Sequence, residues 1–177
     1  MDINEHIHIE PYNPKWSLDY TNEVKRLKSD QALSDFRFEH IGSTSIPGIK
    51  AKPIVDILIG VKSFPVTNNI IEALEKKGYI YMQKGSVADR LYFIKRGRVN
   101  YNAQVVVYGS RIWTDDLIFR DYLTTHRDKA MEYQRIKEQI IGNGITTLIE
   151  YSAQKAEFIA AIYREIYAAV LSDCKSL

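Results

Sequence analysis

The sequence predicts an α/β (α+β) fold, a small mixed β-sheet flanked by helices with a C-terminal helical cap closing a cleft. Three features carry that prediction. Between Phe36 and Tyr108, short apolar runs of strand length are interrupted by one helical stretch. The run Ile54-Val55-Asp56-Ile57-Leu58-Ile59 is apolar on both alternating faces, as a central strand buried on two sides must be. After Ser110 the spacing of apolar residues turns helical almost to the end. Residues 1–110 are therefore expected to form the sheet core, and residues 111–177 a helical region packed on it in a single compact unit.

The elements follow in order. His6-Ile-His-Ile9 alternates and suggests a short strand. Pro11-Tyr-Asn-Pro14 breaks the chain. Trp16 to about Leu33 reads as a helix with Trp16, Tyr20, Val24 and Leu27 on one stripe. Phe36–Ile41 returns to strand, Gly42–Ala51 is loop, and Pro53–Val61 is the central strand. Thr67–Lys77 reads as a helix stopped by Gly78. Tyr79–Gln83, Arg90–Lys95 and Tyr101–Tyr108 read as strands, the last two joined by a hairpin near Gly97 or Asn100. Their polar alternation predicts an antiparallel edge with one wet face. Helices are expected near 113–126, 128–141 and 147–172, separated at Gly142-Asn143-Gly144. Phe158, Ile159, Ile162, Ile166 and Val170 form the apolar stripe of the last one.

Composition narrows the function classes. The 177-residue chain is 45% hydrophobic and 11% aromatic, enough for a full core, and its net charge is only +2. A protein that coats long nucleic acid would usually carry a basic stripe, so none is expected as a partner. Twelve Tyr hint at a groove with polar tips, although half-buried core edges would account for most of them. One cysteine, Cys174, leaves no disulfide framework. Met1-Asp-Ile-Asn-Glu5 has neither the basic nor the apolar part of a signal peptide, and no apolar run approaches the ~20 residues a bilayer needs. The expectation is a cytoplasmic protein with no membrane partner; its oligomeric state has no signature in the sequence.

The sharpest local signal is Gly42-Ser43 at the end of one strand with Asp56 in the next. Small residues at a strand end free backbone N–H groups to approach an anion, and a hydroxyl beside them binds a phosphate oxygen. A strand carboxylate can hold the Mg²⁺ that accompanies such phosphates. This is the ground plan of a nucleotidyltransferase site, with Ser43 and Asp56 as catalytic candidates and Asp56 as the metal ligand. A structural loop beside a satisfied buried Asp is the competing reading. Thr44 and Ser45 add hydroxyls, and Lys50 and Lys52 are placed to neutralise a phosphate or simply to be solvated. Arg90 opens a strand and Arg111 follows another, each able to grip a phosphate with two hydrogen bonds. Tyr133/Lys137 and Tyr151/Lys155 are each four residues apart on one helix face. They line a shared pocket or form two ordinary exposed faces; spacing favours the second. Arg120 beside Asp121 is a candidate internal salt bridge. His6 and His8 lack a third metal ligand, and His40 is either a site residue or a satisfied core histidine.

These segments together resemble the GrpB family, a group of bacterial proteins assigned by similarity to the nucleotidyltransferase superfamily. The resemblance covers nearly the whole chain, through Tyr12-x-Pro14-x-Trp16, His40-Ile-Gly-Ser-Thr-Ser-x-Pro-Gly48, Ala51-Lys-Pro-Ile-x-Asp-Ile57, Phe119-Arg-Asp-Tyr-Leu123 and the two Tyr-x-x-x-Lys pairs. It implies a nucleotidyltransferase-like mixed sheet. It implies that Gly42, Ser43, Lys52, Arg120, Lys137 and Lys155 contact a nucleotide or phosphorylated small molecule, with Mg²⁺ at Asp56, beside the contacts expected of Thr44, Ser45 and Arg90 from their own chemistry. Transfer of a nucleotidyl group is one implied activity, and a binding module without catalysis is the other. Two departures bear on that choice. Several members place a second Asp where this chain has Leu58, and members tend to carry His-x-His where it reads Asn102-Ala103-Gln104. Asn and Gln are weak Mg²⁺ ligands beside carboxylates. Some members are fused to or named beside dephospho-CoA kinase, which associates the family with nucleotide or coenzyme A metabolism.

Overall fold

A computed structural model describes residues 6–174, with side-chain surroundings as far as 169. The expectations for residues 1–5 and for the side chains of Val170 and Cys174 lie outside the described residues. Five strands form one sheet, β1 (Arg37–Ile41), β2 (Ile54–Val61), β3 (Ile80–Tyr81), β4 (Arg90–Lys95) and β5 (Asn100–Val107), in the order β1-β2-β5-β4-β3. β2 and β5 run parallel and the other neighbours antiparallel, so the sheet is mixed. The helices are α1 (Lys15–Lys28), α2 (Asn68–Lys76), α3 (Arg111–Thr125), α4 (Arg127–Gly142) and α5 (Leu148–Cys174).

Strand alternation divides the two faces. Val55, Ile57 and Ile59 of β2, with Phe93, Ala103 and Val105, bury against Trp16 and Leu27 of α1 and Leu74 of α2. Each such side chain contributes about 1.5–3 kcal/mol by leaving water. Glu23 of α1 is buried on this side, a position whose cost is offset by Arg26 at 2.6 Å, Lys95 at 3.0 Å and the Tyr79 hydroxyl at 3.0 Å. The opposite face of β2 carries Ile54, Asp56, Leu58 and Gly60 toward the C-terminal helices. There Leu58 packs with Ile41, Val106 and Trp113. A Cβ on Gly60 would stand 2.8 Å from the Trp113 ring, so glycine lets α3 approach the sheet this closely. Leu123, Tyr133, Phe158 and Ile162 join the three C-terminal helices to Ile46 and Ile49 of the β1–β2 loop.

Several local expectations are corrected. His6 makes only an isolated bridge with Thr147, not a strand over 6–9. α1 ends at Lys28 rather than near Leu33, because the Asp30 carboxylate accepts the Ala32 N–H and offers the backbone a turn instead. The 42–51 loop contains a 3₁₀ turn over Ser43–Ser45. β3 spans two residues rather than 79–83. β5 is not a wet edge: it lies between β2 and β4 and is mostly buried, because its polar Asn102 and Gln104 face an internal cavity.

Candidate functional site

The cavity arises where the inner face of the sheet turns polar. Asp56 on β2 lies in register with Asn102 on β5, and Gln104 on β5 with Tyr92 on β4. Arg90 is two residues before Tyr92 and shares its face. These five side chains form the floor of a space of about 510 Å³, a volume typical of small-molecule sites. Gly42, Ser43, Thr44 and Lys52 form one rim. Helices α3, α4 and α5 supply the roof through Asp116, Phe119, Tyr133, Tyr151, Lys155 and Tyr163.

Gly42 has φ +71°, and a Cβ there would lie 2.5 Å from Asp56 Oδ2. Glycine is needed on both counts. Asp56 Oδ1 accepts a hydrogen bond from Asn102 Nδ2 at 2.7 Å, while Asn102 Oδ1 accepts one from Arg96 at 2.9 Å. Ser43 hydrogen-bonds Tyr133, whose phenol is pushed up chiefly by burial. His40 behind the turn holds Thr44 Oγ1 at 3.0 Å and stacks on Tyr20. Burial lowers its pKa to about 4, so it is neutral at pH 7.

The roof is electrostatically unusual. Lys155 is partly buried, with its ammonium held over the Tyr151 ring at 4.4 Å. Burial lowers its pKa to about 8 and the Asp56 charge opposes the shift, leaving it protonated at pH 7. Burial raises Asp116 to about 6 against the pull of Arg90. Asp116 Oδ2 and Arg90 Nε are buried without a hydrogen-bond partner among the described residues. Three cations, Lys52, Arg90 and Lys155, thus share the wall with two carboxylates, Asp56 and Asp116.

Seven of the ten candidate catalytic, ligand-contacting or metal-binding residues meet in this cavity: Gly42, Ser43, Thr44, Lys52, Asp56, Arg90 and Lys155. Three do not line it. Ser45 Oγ donates to the Gly42 carbonyl at 2.6 Å. Arg120 donates to Glu39 and to Asp121, each at 2.7 Å, and ties α3 to β1. Lys137 is fully buried behind the cavity, donating to the Lys50 carbonyl. Neither Tyr-Lys pair is an exposed face: Tyr133 and Tyr151 are both buried and both line the cavity. His8 pairs with Glu10 far from it. Sequence reasoning missed Asp116, Tyr92 and Tyr163. Alternation from Arg90 would have found Tyr92; Asp116, near a helix start where acids are common, carries no local mark of a site.

Oxygen donors for a resident Mg²⁺ ion are few here. Asp56 Oδ1 accepts one hydrogen bond from the Asn102 amide. Glu39 and Asp121 are both committed to Arg120, and Asp116, the other carboxylate on the cavity wall, lies in the field of Arg90. Leu58 occupies the place of a second strand carboxylate and is packed in apolar surroundings. Among the described residues no group of three or more His, Cys, Asp or Glu side chains is arranged to hold a metal.

A mixed five-stranded sheet, a glycine-hydroxyl turn beside a strand acid and a helical roof define a mixed α/β protein with a cavity of small-molecule size. The chain belongs to the GrpB family, whose description, GrpB protein, matches residues 6–165. The crystal structure of conserved protein GrpB from Enterococcus faecalis superposes with a TM-score of 0.78 and 28% identity, covering 89% of this chain and 96% of that one. The UPF0157 protein YqkA of Bacillus subtilis is 34% identical over 149 residues, 84% of this chain and 43% of that relative's length. A protein named dephospho-CoA kinase from Mycolicibacterium paratuberculosis is 33% identical over 187 residues, 91% of this chain and 46% of the relative. The chain thus spans less than half the length of both of these curated relatives. Among the described residues no helix is long and apolar enough to cross a membrane.

Proposed function

We propose that the chain binds a phosphorylated small molecule carrying an aromatic group, a nucleotide or a nucleotide-containing coenzyme, in the cavity above Gly42-Ser43. The observation that carries this reading is the sharing of one wall by Lys52, Arg90 and Lys155 with the rings of Tyr92, Phe119, Tyr133 and Tyr151. Cations in a partly desolvated cleft attract phosphate strongly, and aromatic faces accept a base by stacking. The relative named dephospho-CoA kinase lends weight to a nucleotide-containing ligand.

A second reading adds nucleotidyl transfer to an acceptor. Asp56 beside the Gly42-Ser43 turn favours it. In that reading the cavity works by positioning and charge complementarity rather than through a covalent intermediate.

Titration calorimetry with ATP, GTP, CTP, UTP, coenzyme A and dephospho-coenzyme A tests the first reading. At least one is expected to bind with a Kd tighter than about 1 mM. Absence of heat with all six refutes it. Pyrophosphate release from a bound triphosphate in the presence of candidate acceptors tests the second.

A further inference from the structure

We propose that the cavity holds its anionic ligand with a fixed ammonium, Lys155, standing where related phosphate chemistry would use a divalent cation. The inference rests on the phosphorylated-ligand reading and specifies how the anion is held.

The geometry supports it from two sides. The carboxylate side is sparse. Asp56 Oδ1 takes the Asn102 amide at 2.7 Å, and the Asn102 oxygen is itself taken by Arg96 at 2.9 Å. Leu58 follows Asp56 on the same strand face, and Asp116, the other carboxylate on the wall, lies in the field of Arg90. The cation side is built in. Lys155 projects from α5 across the cavity from the strand that carries Asp56. Its ammonium stands 4.4 Å from the centroid of the buried Tyr151 ring one turn earlier. Negative charge at Asp56 favours the protonated form of Lys155. Asp56 and Lys155 thus present opposite charges to one cavity. Lys52 and Arg90 extend the positive wall toward the Gly42-Ser43 turn. A lysine offers three donors with no coordination geometry to satisfy, so it replaces a metal's charge without its ligand set.

The test uses the full chain and two probes, sodium tripolyphosphate and ATP, titrated in EDTA and in MgCl2. Wild type is expected to bind tripolyphosphate in EDTA, with no gain on adding Mg²⁺. Lys155→Met should weaken that binding by about tenfold to a hundredfold, the effect of losing a hydrogen bond to a charged group. Lys155→Arg, which keeps the charge, should restore most of it. Thermal melting of each variant separates loss of fold from loss of the site, and the arginine variant keeps the test decisive if the methionine variant unfolds. Binding that needs Mg²⁺ and vanishes in Asp56→Asn overturns the inference while leaving the nucleotide reading intact. Unchanged affinity in Lys155→Met overturns it also. Lys155-dependent tripolyphosphate binding without any ATP binding does the reverse, sparing this inference and removing the nucleotide reading. Absence of binding by both probes removes both.

Discussion

Lys137→Met probes the buried charge directly behind the cavity. Lys137 sits on α4 with its ammonium over the Tyr133 ring at 4.6 Å and its proton donated to the Lys50 carbonyl. Burial lowers its pKa from 10.5 to about 7; the charge of Lys155 lowers it further and Glu138 opposes. Between those two values the unfolded chain holds a proton that the native state does not. Stability therefore rises with pH through that window, by about 1.4 kcal/mol per unit. From pH 7.5 to 9.5 the wild type should gain about 2–3 kcal/mol from this group alone. Methionine fills similar space and does not titrate. The variant should lack that gain and lose only the hydrogen bond to Lys50, worth about 1 kcal/mol. Lys155 is present in both proteins, so the difference between them reads Lys137 together with its coupling to Lys155. Urea unfolding of both at the two pH values measures it. The variant should be the more stable protein at pH 7.5, and that advantage should shrink by about 2–3 kcal/mol, to nearly nothing, at pH 9.5. A stability gap that stays constant between the two pH values refutes the assignment of a buried, displaced lysine.

Two further substitutions separate site from scaffold. Gly42→Ala places a Cβ 2.5 Å from Asp56 Oδ2 at a backbone φ of +71°, and should cost about 1–3 kcal/mol, read as a fall of several degrees in melting temperature; full retention of stability would show that the turn relaxes freely. Arg120→Gln removes the partly exposed links to Glu39 and Asp121, and should cost about 1 kcal/mol or less while leaving ATP affinity unchanged. A tenfold loss of affinity there would move the guanidinium into the ligand site.

The sequence by itself determined the class of fold. The β2 run, apolar on both faces, could only be a central strand, and the change to helical spacing after Ser110 marked the roof, because burial patterns are written at fixed periods along the chain. It also determined the turn at Gly42-Ser43 and the acid at Asp56, since glycine and a charge inside an apolar strand are locally conspicuous. Which cations reach that turn was decided only by tertiary structure. Lys137 and Lys155 follow the same Tyr-x-x-x-Lys spacing, yet one is sealed behind the cavity and the other projects into it. Arg120 and Arg90 look equally eligible as residues, but Glu39 captures the first across 81 positions of chain while β4 carries the second into the floor. The parallel pairing of β2 with β5 sets Asn102 opposite Asp56, and so decides the state of the carboxylate. Such pairings depend on how helices dock across the sheet, a long-range choice that no local spacing encodes.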